Sequence, residues 1–183
     1  MTNVGVIVGS LREGSFTKKI AKAVADQLPA DYNVSLIDIN LDLYNEDLDV
    51  DGKVPASWTK FREAMNNVDA VIFATPEYNR SIPGGLKNAI DVGSRPMGSS
   101  IWDKKPALII SVSPGAIGGF GANMALRQSL VFLNMPVVQQ PEAYIGGVTN
   151  ILDDNGEVTS QRELSYFKSI ADTFVDLINK MNS

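Results

Sequence analysis

Short apolar runs alternate five times with amphipathic stripes along this chain, and that alternation limits the fold more than any other feature. Asn3 to Ser10, Asn33 to Ile39, Ala70 to Thr75 and Lys105 to Val112 read as strands, and Val137 to Gln139, continued by Ala143 to Ile145, reads as a fifth. Between and after them, Phe16 to Leu28, Ser57 to Asn67, Pro83 to Gly93, Asn123 to Leu133 and Ser160 to Met181 read as helices. In the first helix Phe16, Ile20, Val24 and Leu28 recur four apart on one stripe. Ser57 is the expected N-cap of the second, and Pro83 suits the first turn of the third. Ala70 to Ala74 is apolar without interruption, as a strand covered on both faces must be. Strands alternating with helices predict an α/β sandwich of three layers around a parallel sheet. Right-handed crossovers leave few topologies, and the strand order 2-1-3-4-5 is the natural one for five strands. A length of 183 residues suits one domain, taken here as residues 1–183.

Three of the strand–helix junctions carry the residues of interest. They are Gly9-Ser10-Leu11-Arg12-Glu13-Gly14-Ser15, the stretch from Pro76 through Glu77-Tyr78-Asn79 to Gly85, and Ser111 to Gly119. In a parallel sheet such loops emerge beyond the carboxyl ends of the strands, where open α/β sheets bind ligands. Strands 1, 3 and 4, which feed these loops, are neighbours in the expected order. Together the loops describe a pocket for a phosphorylated, planar cofactor.

The first loop has neither the G-x-G-x-x-G spacing of a dinucleotide site nor the Lys and Ser/Thr that a nucleoside-triphosphate loop needs after Gly14. Ser10, Ser15 and Thr17 place hydroxyls around a helix start, whose free N–H groups attract an anion. Arg12, Lys18 and Lys19 lie near the positive end of that helix, where a cation costs about 0.3–1 kcal/mol. A bound phosphate reverses that sign. The plainer reading, with Ser15 as an N-cap and the cations in water, stands beside it. In the second loop Tyr78 offers a face or edge to a planar ring, and Asn79 offers an amide to its polar rim. A simple helix-capping turn explains the prolines and glycines there, but not the Glu77-Tyr78-Asn79 cluster. The glycines of the third loop permit close approach of backbone to ligand.

Composition excludes several chemistries. The chain has no Cys and no His, so it holds no disulfide, thiol nucleophile, Ser-His-Asp triad or thiolate/imidazole metal site. A bound cofactor is then the natural carrier of any difficult chemistry, and no residue is assigned as catalytic or as a metal ligand. A net charge of −5 without a basic patch argues against nucleic acid. No apolar run is long enough to span a bilayer. The opening residues Met1-Thr2-Asn3-Val4 lack a basic stretch, so a cytoplasmic protein is expected. The acidic run Asp42, Glu46, Asp47, Asp49 and Asp51 reads as a solvated loop, with a hard-cation site a distant second. Trp58 and Trp102 read as packing or interface residues.

The segments at 9–17, 76–91 (P-E-Y-N-R-S-I-P-G-G-L-K-N-A-I-D) and 111–119 resemble those of the NADPH-dependent FMN reductase family, a flavodoxin-like group that includes NAD(P)H quinone and chromate reductases. The resemblance implies FMN, held by its phosphate at Ser10, Arg12, Ser15 and Thr17, with Phe16 also among the cofactor-binding residues. It places the isoalloxazine against Pro76, Glu77, Tyr78 and Asn79, with Ser113 and Gly115 at its border. Thr17 stands where members often have Asn, and Val92 where many have Trp. The implied activity passes electrons from NADPH or NADH through flavin to quinones or similar small acceptors. Two alternatives differ in class: an FMN electron carrier that does not oxidise NAD(P)H, and a reductase that uses free FMN as substrate. A homodimer or tetramer is expected through the third and fourth helices. There the apolar residues Met124, Leu126, Leu130, Val131 and Leu133 exceed what one helix face needs for its own core.

Overall fold

The protein is described from a computed structural model, which defines residues 1–182. Five parallel strands, β1 (Thr2–Val8), β2 (Tyr32–Ile37), β3 (Ala70–Pro76), β4 (Ala107–Val112) and β5 (Ala143–Ile145), form one sheet in the order β2-β1-β3-β4-β5. This is the flavodoxin-like arrangement. The helices are α1 (Phe16–Ala25), α2 (Ala56–Asn66), α3 (Gly84–Gly93), α4 (Phe120–Phe132) and α5 (Gln161–Met181).

Period-2 geometry explains the uninterrupted apolar strands. Val4, Val6, Ala70, Ile72, Leu108 and Ile110 face one side and pack with α1 and α5 through Ile20, Val24, Phe167, Phe174 and Ile178. The intervening Ile7, Val71, Phe73 and Ile109 face the other side and pack with Trp58, Phe61, Leu86, Ile90 and Leu126 of α2, α3 and α4. On α5 the buried positions Phe167, Ile170, Ala171, Phe174 and Ile178 form one stripe. Trp102 is fully buried in the second cluster, beside Phe73 and Phe61, and its indole N–H donates to the Ile90 carbonyl at 3.0 Å. Both tryptophans are therefore core residues.

Three details differ from the sequence reading. Helix α2 starts at Ala56 behind Pro55, so Ser57 is not its N-cap. The Ser57 hydroxyl instead donates to Asp42 Oδ2 at 2.6 Å. Val137 makes only a lone bridge to Ala107, and the fifth strand proper is Ala143–Ile145, paired with Ile110 to Val112. Pro141 separates the two pieces, and a proline has no N–H to continue a ladder. Leu126 and Leu130 are fully buried beneath the sheet, so they belong to this chain's own core rather than to a spare face.

The acidic stretch is also less free than its composition implies. Asp49 accepts both Nη groups of Arg62 at 2.8 Å, and Arg62 Nε donates to the Val92 carbonyl at 3.1 Å. The hydrogen bonds from Arg62 hold the Asp49 carboxyl below its ordinary range, against a smaller opposing effect of burial. The Asp42 carbonyl accepts from Trp58 Nε1 at 2.7 Å and from Asn88 Nδ2 at 3.0 Å. Asp42 and Asp49 thus strap the segment across α2 and α3, while Glu46, Asp47 and Asp51 face water.

Candidate cofactor site

The three loops converge at the carboxyl edge of β1, β3 and β4. Between them lies a cavity of about 150 Å³. Ser10, Arg12, Ser15, Phe16 and Thr17 border it from the first loop, Pro76, Glu77 and Tyr78 from the second, and Ser113 from the third. The sequence reading named all nine. It also named Asn79 and Gly115, which are both exposed and lie outside the lining, Asn79 at the tip of its turn. Val112, Pro114 and Val148 were not foreseen as wall residues. Val148 follows β5, whose carboxyl end opens on the same edge beside β4. The topology could have flagged that segment, although its residues carry no motif.

The first loop is built around the start of α1. Ser15 has extended dihedrals, φ −66° and ψ 114°, and its Oγ accepts the Lys18 N–H at 3.1 Å. It is a genuine N-cap. Ser15 and Thr17 are buried, and no acidic residue occupies the first helical turn. The Phe16 and Thr17 N–H groups have no intrahelical acceptor at a helix start and favour an anion there. The three cations fare differently. Arg12 borders the cavity. Lys18 lies in a neighbouring groove along β2. Lys19 is laid over Gly156, where an added Cβ would meet its Nζ at 2.2 Å, so it serves the turn before α5 instead.

The second loop is a tight hairpin turn. Tyr78 N–H donates to the Ser81 carbonyl at 2.9 Å, and Ser81 N–H returns to Tyr78 at 3.0 Å. The central residues Asn79 and Arg80 have φ of +51° and +66°. Positive values at both positions define a type I′ turn, here made without glycine. The turn leaves the Tyr78 ring about half exposed at the mouth of the cavity.

The third loop is held from both sides. Ser113 N–H donates to the Ile145 carbonyl at 2.9 Å, and the Ser113 hydroxyl accepts the Gly115 N–H at 3.0 Å. Gly118 adopts φ +66° against the β5 backbone; a Cβ there would lie 2.7 Å from the Tyr144 carbonyl carbon. Tyr144 packs edge-on against Phe120 at 5.4 Å. Burial, helped by the Glu142 carboxylate, pushes its phenol up to about 12, so it stays neutral.

A cavity of this size is smaller than the roughly 300–1,000 Å³ typical of whole small-molecule sites. Beyond Arg12 and Tyr78 it gives way to a more open ledge of about 350 Å³ floored by Gly9, Pro83, Gly84 and Gly85. The arrangement fits a ligand with a compact anionic end and a flat, extended remainder. An enclosed anion lobe at a helix start, next to an aromatic ledge on a flavodoxin-like sheet, defines the class of flavin-nucleotide-binding α/β proteins.

Within that class the chain belongs to the NADPH-dependent FMN reductase family, whose model matches residues 2–150. A quinone reductase of Pseudomonas putida is 50% identical over 98% of this chain and 96% of its own length. A 2-hydroxy-1,4-benzoquinone reductase of a Burkholderia species is 40% identical over 93% of each chain. Among solved structures, the flavoenzyme NAD(P)H:(acceptor) oxidoreductase FerB of Paracoccus denitrificans superposes with a TM-score of 0.91 at 37% identity, over 99% of both chains.

Proposed function

We propose that this chain is an FMN-dependent NAD(P)H oxidoreductase that delivers electrons to quinones. The observation that carries the proposal is the anion lobe at the start of α1, opening directly onto the Tyr78 ledge, in a chain half identical to a quinone reductase. FMN held there would supply the redox chemistry between reduced nicotinamide and an acceptor. The chain's own residues bind and orient. Arg12, the Ser15 and Thr17 hydroxyls and the α1 N–H groups would hold the phosphate, and Pro76 and Tyr78, which line the cavity, would border the ring. The ledge leaves one side open to solvent. Donor and acceptor use that side in turn, because the sequence has no second glycine-rich fingerprint for a separate nucleotide site. The compartment we propose is the cytoplasm. No helix among the described residues is long and apolar enough to cross a membrane.

The test is spectroscopic. Anaerobic addition of NADPH to the purified yellow protein should bleach the visible flavin absorbance, and a quinone should restore it. Steady-state rates with both substrates varied should give parallel double-reciprocal lines, the pattern of a ping-pong sequence. A flavin that stays oxidised in NADPH would assign the chain to the electron carriers instead. Loss of colour on gel filtration would make FMN a substrate.

We propose a homodimer, or a pair of dimers, through the α4 side. Val131 and Phe132 at the end of α4 are 75% and 85% exposed, although the sheet-facing Leu126 and Leu130 of the same helix are buried. Large apolar side chains left in water at this level favour an interface. Light scattering at micromolar concentration should return at least twice the 19.8 kDa chain mass, and a monomer mass would exclude the dimer.

A further inference from the structure

We propose that Glu77 is a positioning residue: it clasps the Tyr78 turn to the start of α4 and so sets the angle of the aromatic ledge. The proposal rests on the functional reading above, in which Tyr78 supports a flavin ring. Three observations converge on it.

The first is a cap supplied from a distance. Helix α4 begins after Gly119, which has no side chain to cap it, and its first turn has no acidic residue. Glu77 fills that role from 45 residues away: its Oε2 accepts the Ala122 N–H at 3.1 Å. A carboxylate at a helix N-terminus satisfies an otherwise free N–H and interacts favourably with the helix dipole.

The second is the neighbouring Gly121. Inside the first turn of a helix, alanine is the better residue on propensity alone. Here a Cβ would lie 2.9 Å from both Glu77 Oε2 and the Arg80 carbonyl oxygen. The bare Cα is what allows the turn to seat against α4.

The third is the conformation that is held. Arg80 stands at φ +66° in a position that glycine usually fills. Such a backbone persists when its surroundings over-determine it. The surroundings are the paired Tyr78 and Ser81 hydrogen bonds, the seat of the Arg80 carbonyl on Gly121, and the Glu77 grip on Ala122. With Oε2 engaged by α4 and Oε1 3.5 Å from Arg80 Nη1, the carboxylate acts through the turn rather than as a ligand for the flavin.

The experiment strips the full chain of flavin and titrates it with FMN and with riboflavin. Wild type, Glu77→Gln, Glu77→Ala and Gly121→Ala are compared by affinity and by the visible circular dichroism of the bound flavin. Glu77→Ala should weaken both flavins by the same factor, about tenfold, as for loss of one charge-assisted bond, and should alter the dichroic spectrum. Equal loss for both ligands marks the ring side of the site, not the phosphate side. Gly121→Ala should reproduce this from the other half of the clasp, and the double variant should be no worse than either single one. Glu77→Gln keeps an acceptor and should stay within about threefold of wild type. Wild-type affinity and dichroism in Glu77→Ala, or a Gln variant as weak as the Ala variant, would overturn the proposal. A wild-type chain that binds neither flavin overturns the functional reading, and the clasp with it. Thermal melting reports folding, and should one alanine variant fail to fold, the other is compared with Glu77→Gln.

Discussion

FMN should bind this chain about 100-fold or more tightly than riboflavin, and Arg12→Ala should cut that preference by roughly 10- to 100-fold, the largest ligand effect expected. The two ligands differ only in the phosphate, so their affinity ratio isolates the α1 lobe. Ser15 and Thr17 line that lobe and are buried, and the first turn of α1 carries no acid to repel an anion. Charge-assisted hydrogen bonds contribute about 1.5–3 kcal/mol each, so two of them suffice for a factor of 100. Arg12 is exposed and makes no ion pair among the described residues, so its removal should cost little stability. Fluorescence titration of both ligands against both proteins measures the ratio. Equal affinities for FMN and riboflavin in the wild type would show that the phosphate lies elsewhere.

The largest structural effect is expected at Gly118. Replacing it by alanine should lower stability by about 3 kcal/mol, combining roughly 1–2 for a left-handed residue with a Cβ and 1–3 for overpacking. Both contributions have a visible source: φ is +66°, and the new carbon would sit 2.7 Å from the Tyr144 carbonyl carbon and 2.9 Å from the Ile145 nitrogen. Neither neighbour is the flexible end of a side chain; both are sheet backbone. For a chain of this size that corresponds to a melting-point drop of roughly 6–12 °C. Calorimetry checks it, and an unchanged melting point would mean that the third loop can slide off β5 at no cost. Gly115→Ala, at an exposed position with negative φ, is the control and should melt with the wild type.

The strand–helix alternation was plain in the sequence because each central strand is covered on both faces, which makes Ala70 to Ala74 uniformly apolar. The junction loops were legible for the same reason, since buried strands end abruptly in polar and glycine-rich residues. What escaped was long-range. Ser57 has the composition of an N-cap, but Asp42, fifteen residues earlier, competes for its hydroxyl. Asp49 reads as one of five solvent-facing acids until Arg62 is placed beside it. Lys19 looks equivalent to Arg12 in a list of cations near α1, yet the turn at Gly156 takes it. Val148 joins the cavity wall through sheet order alone. Pairings between distant residues leave no periodic trace in a chain, and each of these misses is such a pairing.

The parallel sheet also divides the molecule into two rims with different histories open to them. Every candidate ligand-holding residue comes from the carboxyl rim, while the connections 29–31, 67–69 and 103–106 enter the sheet at the opposite one. At that far rim the contacts tie the connections together, such as the Asp69 carboxylate on the Asn3 N–H and the Lys105 ammonium on the Met65 carbonyl. Insertions, fusions and sequence drift can accumulate there without crossing the cavity. In lineages of this fold, new partners and tethers can therefore be gained on one rim while selection for electron transfer acts on the other.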